Sequence, residues 1–230
     1  ETDDDPINRM YRYGCAGRLL VQQVRELRRK QYRLLYLPEM ELDEGVITNL
    51  AAAIQYVPVD IGWLSFERTT FLGGANLKNA LVALLQSCPN LHSLRLCLAR
   101  HQASEVVQVV ASILVEQERV IDHVVLAEFA LLLGPPLMPH QFAAFTAQVK
   151  ILSLTSSEAW TESVLACLQR GLQSPECRVQ HIDLDISGAQ PNDLATLFGS
   201  MANCRSLESL DVQDWRERDA LEARLIARII

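Results

Sequence analysis

Apolar residues return at fixed intervals along this chain. The frame reads apolar, two residues, apolar, one residue, apolar. Its clearest copy is Leu91-His-Ser-Leu94-Arg-Leu96, just after Cys88-Pro89-Asn90. The same positions fall on Tyr32, Leu35 and Leu37; on Ile61, Leu64 and Phe66; on Ile121, Val124 and Leu126; on Val149, Leu152 and Leu154; on Val179, Ile182 and Leu184; and on Leu207, Leu210 and Val212. The starts, at 32, 61, 91, 121, 149, 179 and 207, lie 28 to 30 residues apart. One match is cheap in a chain that is 49% hydrophobic, but seven at a held period mark a repeat architecture.

The two periodicities within each unit predict its elements. In a strand, successive side chains point to opposite faces, so frame positions 4 and 6 both point inward. Between frames the period becomes helical. Leu77, Leu81, Leu84 and Leu85 share one helix face, as do Val106, Val109, Val110 and Ile113; Val164, Leu165 and Leu168; and Leu194, Leu197 and Phe198. Each unit therefore reads strand, loop, helix. No such unit buries its apolar faces alone, so neighbours must stack on a shared core.

The frame, together with Leu84-Leu85-Gln86-Ser87-Cys88-Pro89-Asn90-Leu91 and Ala202-Asn203-Cys204-Arg205-Ser206-Leu207, resembles the leucine-rich repeat superfamily. The likeness is to its long-repeat, ribonuclease-inhibitor-like class and covers roughly residues 30–215. It implies an α/β solenoid: a right-handed horseshoe of about seven strand-loop-helix repeats, with a parallel concave sheet and convex helices. One departure stands out. The family places Asn or Cys at frame position 9, bonded to neighbouring backbone. Here that position holds Met40, Thr69, Ala99, Phe129, Ser157, Ser187 and Trp215, so the usual ladder is expected to be missing.

The remaining segments fit around the repeats. Residues 1–15 open with Asp3-Asp4-Asp5-Pro6 and read as an acidic lead-in. Residues 16–31 predict a helix with an apolar stripe of Leu20, Val24 and Leu27 and a basic face of Arg25, Arg28, Arg29 and Lys30. A solenoid needs such a polar-faced terminal cap. The rival reading is a basic amphipathic helix for an acidic membrane or a partner. The repeats span 32–215, and 216–230 predict a closing helix on Leu221, Leu225 and Ile229. The fourth repeat is the least regular. Gly134-Pro135-Pro136 and Pro139 confine its helix to about 140–148, and loop 134–139 is either functional or the mark of a shortened repeat.

Composition narrows the function. A net charge of −7 and a pI near 5.3 argue against general nucleic-acid binding, which needs a basic footprint. The six cysteines form no C-x-x-C, and no His pair stands at zinc spacing. Buried thiols in a reducing, cytoplasmic compartment are expected. No apolar run approaches the ~18 residues of a membrane span. There is no signal-peptide pattern; a chain opening at Glu1 and stopping on two isoleucines either tucks them onto the last repeat or is a piece of a longer protein, whose targeting segment would then be missing here. No G-x-S-x-G, phosphate loop, H-E-x-x-H or G-x-G-x-x-G is present, so no catalysis, cofactor or metal is expected.

Candidate binding residues are those between the apolar positions. Position 3 holds Leu34, Trp63, Ser93, His123, Ile151, His181 and Ser209; position 5 holds Tyr36, Ser65, Arg95, Val125, Ser153, Asp183 and Asp211. Both face the concave side of a leucine-rich horseshoe. Tyr36 and Trp63 at the N-terminal end have the character of binding anchors; the plain alternative is that Trp63 packs under a neighbouring strand or cap. The C-terminal end is acidic, with Asp183, Asp185, Asp211 and Asp214. In register, Asp183 and Asp211 stand side by side, which is unfavourable unless a basic group, from His181 or from a partner's basic patch, relieves it.

Tyr36, Trp63, Arg95, His123, His181, Asp183, Asp185, Asp211 and Asp214 are thus the expected partner-binding set. Resemblance to the family implies a non-catalytic protein-binding module, whether scaffold, inhibitor, effector or ubiquitin-ligase adaptor, although no F-box-like segment precedes the repeats. Two other readings are a GTPase regulator, with Arg95 as its basic residue, and a structural arm of a larger assembly.

Overall fold

A computed structural model describes residues 5–30, 33–57, 59–72, 76–98, 103–133, 137–156, 158–213 and 225–227. The chain divides into two compact units, Glu1–Gln102 and Ala103–Ile230, each described by itself below. In both, parallel strands alternate with helices, as the two periodicities predict.

The first unit opens with α1 (Pro6–Met10), a 3-10 turn (Tyr11–Tyr13) and α2 (Gly14–Lys30). Asp5 caps α1 by accepting the Ile7 N–H at 2.8 Å. The two helices meet so closely that a Cβ on Gly17 would stand 1.7 Å from the Met10 carbonyl oxygen. Then follow β1 (Leu34–Pro38), β2 (Glu41–Leu42), α3 (Glu44–Tyr56), β3 (Trp63–Phe71), α4 (Leu77–Gln86) and β4 (Ser93–Leu98). Asp43 caps α3 through the Val46 N–H at 2.7 Å. β1 pairs parallel with β3, and β3 with β4, so that Leu35, Leu64 and Leu94 form one buried row and Leu37, Phe66 and Leu96 the next. β2 pairs with the far end of β3, Leu42 beside Phe71.

α2 carries the apolar stripe and the basic face that the sequence suggests. Leu20, Val21, Val24 and Leu27 are buried, while Arg25, Arg28 and Arg29 face solvent. Gln23 accepts the Tyr36 N–H at 3.1 Å, so the helix also satisfies a backbone group of the edge strand β1.

The second unit runs α5 (Ala103–Glu116), β5 (Ile121–Ala127), α6 (Phe129–Leu132), α7 (Pro139–Thr146), β6 (Val149–Thr155), α8 (Glu162–Leu172), β7 (His181–Asp185), α9 (Pro191–Met201), β8 (Ser209–Gln213) and β9 (Leu225–Ala227). β5 to β8 pair parallel in sequence order, with Val124, Leu152, Ile182 and Leu210 in one buried row. α7 starts at Pro139, where a missing N–H costs nothing, and Gln141 accepts the Met138 N–H at 2.9 Å.

Several expectations need correction. The closing helix over 216–230 falls mostly outside the described residues; its described part, 225–227, is instead the strand β9, antiparallel to β8. The backbone of β8 would otherwise be an open edge, and pairing satisfies it. Phe198 is 37% exposed, because Leu197, Ser200 and Met201 form the inward face of α9. The run from Phe129 carries the short helix α6, which the periodicity missed. The position-9 ladder is partly replaced: Thr69 Oγ1 donates to Leu37 O at 2.9 Å and Ser187 Oγ to Ser156 O at 3.1 Å. Glu39, Arg68 and Glu128, all at position 8, take left-handed backbone with φ of 43°, 51° and 56°, a turn the apolar frame does not report. Tyr32, Gly73, Gly74, Ala99, loop residues 134–136, Ser157, Asp214 and Trp215 lie outside the described residues.

Leu152 has no exposed surface and sits between Val124 and Ile182. Leu152→Ala should cost about 2–5 kcal/mol in urea unfolding. Lys150→Ala, which removes only a surface ion pair to Asp122 at 2.7 Å, should stay within about 0.5 kcal/mol. Equal losses at the two positions would contradict the assignment of faces.

Candidate functional site

In the first unit, outward strand positions set large side chains next to small ones across the register. Leu34 lies beside Trp63, and Trp63 beside Ser93; Tyr36 lies beside Ser65, and Ser65 beside Arg95. Ser65 and Ser93 are buried, so the larger residues stand above them. Leu34, Tyr36 and Trp63 keep 46%, 40% and 49% of their surface exposed. Trp63 therefore does not pack under a strand or cap. Its ring meets His92 edge-on, with centroids 6.2 Å apart and planes at 84°, a contact that fixes the indole while leaving much of it open.

Between α2 and the edge strand β1 runs a groove of about 320 Å³, lined by Leu19, Gln22, Gln23, Glu26, Leu34 and Tyr36. Leu34 and Tyr36 are thus shared between the groove and the strand face. Arg95, the basic residue of this face, is already engaged: its Nε donates to Glu67 Oε2 at 2.9 Å.

In the second unit, outward positions join in one hydrogen-bonded string across four strands. His123 Nε2 lies 2.8 Å from Ser153 Oγ, and Ser153 Oγ donates to Asp183 Oδ2 at 2.8 Å. Since that hydroxyl spends its hydrogen on the carboxylate, His123 must donate to it, which places the His123 proton on Nε2. Asp183 Oδ1 accepts from His181 Nε2 at 2.8 Å, and His181 Nδ1 bonds Ser209 Oγ. Burial pushes His123 below the usual histidine range; Asp183 opposes this and His181 adds to it.

Asp183 and Asp211 are direct neighbours in the register, as the frame implies. His181 serves Asp183. Asp211 Oδ1 is buried and has no hydrogen-bond partner among the described residues. Asp185 departs from the expected surface: alternation places it on the same face as His181 and Asp183, yet it is buried at the strand end, where its Oδ1 accepts the Ser187 N–H at 2.9 Å to fix the turn after β7. Asp214 lies outside the described residues.

The structure thus gathers Tyr36 and Trp63 with Leu34 on one face, and His123, His181 and Asp183 with Ser153 and Ser209 on another. The two serines hold outward positions 5 and 3, but polar type alone does not set them apart in the sequence; the register joins them to the named residues. The Ser209–His181–Asp183 order is of the kind that activates a hydroxyl nucleophile. Such chemistry also needs oxyanion donors, and the Ser209 N–H is committed to Gln180 O at 3.0 Å. Among the described residues, no three His, Cys, Asp or Glu side chains cluster to hold a metal ion, and no helix is long and apolar enough to cross a membrane.

The His123 environment has a pH signature. Folded, it binds its proton less readily than in the unfolded chain, so its contribution is fully present above the unfolded value of about 6.5 and is lost as pH falls toward the lower folded value. The loss of urea stability between about pH 7.5 and about pH 5.5 should be smaller in His123→Gln than in the native protein. An identical loss in both would contradict this.

No protein-family model matches the sequence, and no curated protein matches it.

Proposed function

We propose that this protein is a leucine-rich-repeat solenoid working as a non-catalytic protein-binding module, which recognises its partner with the outward positions of its strands. The observation that carries the reading is the face made by Leu34, Tyr36 and Trp63. Three large side chains stand 40–49% exposed on paired strands, next to an open groove. Strand pairing fixes their backbone, and aromatic anchors, with few rotatable bonds, carry a large share of interface energy. The inward positions are fully used in packing, which leaves the outward ones free to differ from repeat to repeat.

The string His123–Ser153–Asp183–His181–Ser209 fits the same reading as a pre-arranged polar surface. Its carboxylate, Asp183, and the neighbouring Asp211 complement a partner's basic group. The GTPase-regulating reading is the weaker one, since Arg95 would have to leave Glu67 to reach a nucleotide. A purely structural arm would leave the exposed Tyr36 and Trp63 unexplained.

Tyr36→Ala and Trp63→Ala should each weaken binding at least about tenfold for the partner recovered from lysate with the native protein. The unfolding midpoints of these variants should stay close to native. A partner held equally by native and variant proteins would remove the strand face from the reading.

A further inference from the structure

Cys177 and Cys204 sit in two successive helix-to-strand turns, after α8 and after α9. The Cys177 N–H donates to Ser174 O at 3.0 Å and the Cys204 N–H to Met201 O at 2.9 Å, so both turns are closed in the same way. The strands that follow stack directly: the Glu208 and Ser209 N–H groups donate to Gln180 O at 2.8 and 3.0 Å. The stacking brings the two sulfurs to 3.9 Å, in contact with each other, with both residues buried. A disulfide holds its two sulfurs about 2.05 Å apart, so the pair has less than 2 Å to close.

We propose that Cys177 and Cys204 form a site of reversible disulfide formation, oxidised by hydroperoxide, which staples these two turns of the second unit. The roles of the two thiols differ. Cys204 releases its proton below the usual thiol range, chiefly through its hydrogen bond with the Cys177 sulfur; burial opposes this, and Ser206 and the Leu207 N–H assist. Cys177 is held above the usual range by that same bond and by burial. Cys204 thiolate therefore attacks the hydroperoxide. The O–O bond breaks, Cys204 becomes a sulfenic acid, and the departing oxygen leaves as water or alcohol after taking a proton. The Cys177 sulfur then attacks the Cys204 sulfur, loses its proton, and the sulfenic oxygen leaves as water. The pair loses two electrons and the peroxide gains them. This site is independent of partner binding on the strand face.

The test treats the native protein with hydrogen peroxide, blocks remaining thiols, and maps the unreduced digest by mass spectrometry. The expected result is a peptide pair linked through Cys177 and Cys204 that dithiothreitol separates. Cys167, which burial pushes up to about 11 and which donates to Leu137 O at 3.8 Å, should remain a thiol. Cys177→Ser should accumulate a sulfenic acid at Cys204 that dimedone traps. Cys204→Ser should slow peroxide consumption by the pair about tenfold or more. The proposal is overturned if exposed Cys15 is oxidised while 177 and 204 stay unlinked, if either pairs with Cys167 instead, or if native Cys204 goes to sulfinic acid with Cys177 still reduced. The mapping of native protein decides the matter even if a variant fails to fold.

Discussion

The inward rows of the parallel sheets are the constraint on which the rest depends. In each unit, frame positions 4 and 6 of one strand lie against the same positions of the next, and all of them are buried. A slip of one residue would turn every such side chain to solvent and bring the outward residues inside. Register is therefore held strongly, and it alone decides which residues become neighbours on the open face. Leu34 meets Trp63, and Asp183 meets Asp211, because Leu35 meets Leu64 and Ile182 meets Leu210.

That dependence explains how much was legible in the sequence. Strand positions follow a period of two and helix faces one of 3.6, so the seven frames, the cap helix and the Asp183–Asp211 adjacency could all be read from apolar spacing. Features set by particular side chains or by backbone outside the frame could not. The left-handed turn at Glu39, Arg68 and Glu128 uses no glycine and leaves no compositional mark. Thr69 and Ser187 perform a bonding role expected of other residue types. The strand at 225–227 looks helical by apolar spacing, yet the open edge of β8 gives that short apolar stretch a pairing partner.

The outward rows differ in chemistry between the two units. In the first, small serines flank large apolar groups, which leaves a raised aromatic face beside an open groove. In the second, polar side chains satisfy one another in a chain that ends near the unpartnered Asp211 oxygen. Both follow from a division of labour in which packing uses one face of each strand and leaves the other free to vary in chemistry. The cysteines add a third consequence of the same stacking, because turns at the same repeat phase are brought together and residues 27 positions apart in sequence come into contact.

If each repeat stabilises itself only against its neighbours, one whole repeat can be removed without destroying the others. Deleting residues 149–178 would join Gln148 to the frame that starts at Val179. The measurement is urea unfolding of this shortened protein followed by circular dichroism. The account predicts a folded chain with mixed helix and strand signal, cooperative unfolding and a reduced slope in urea, as β7 takes the place of β6 beside β5. Loss of cooperative unfolding, or a chain without secondary structure, would contradict nearest-neighbour stacking as the basis of the fold.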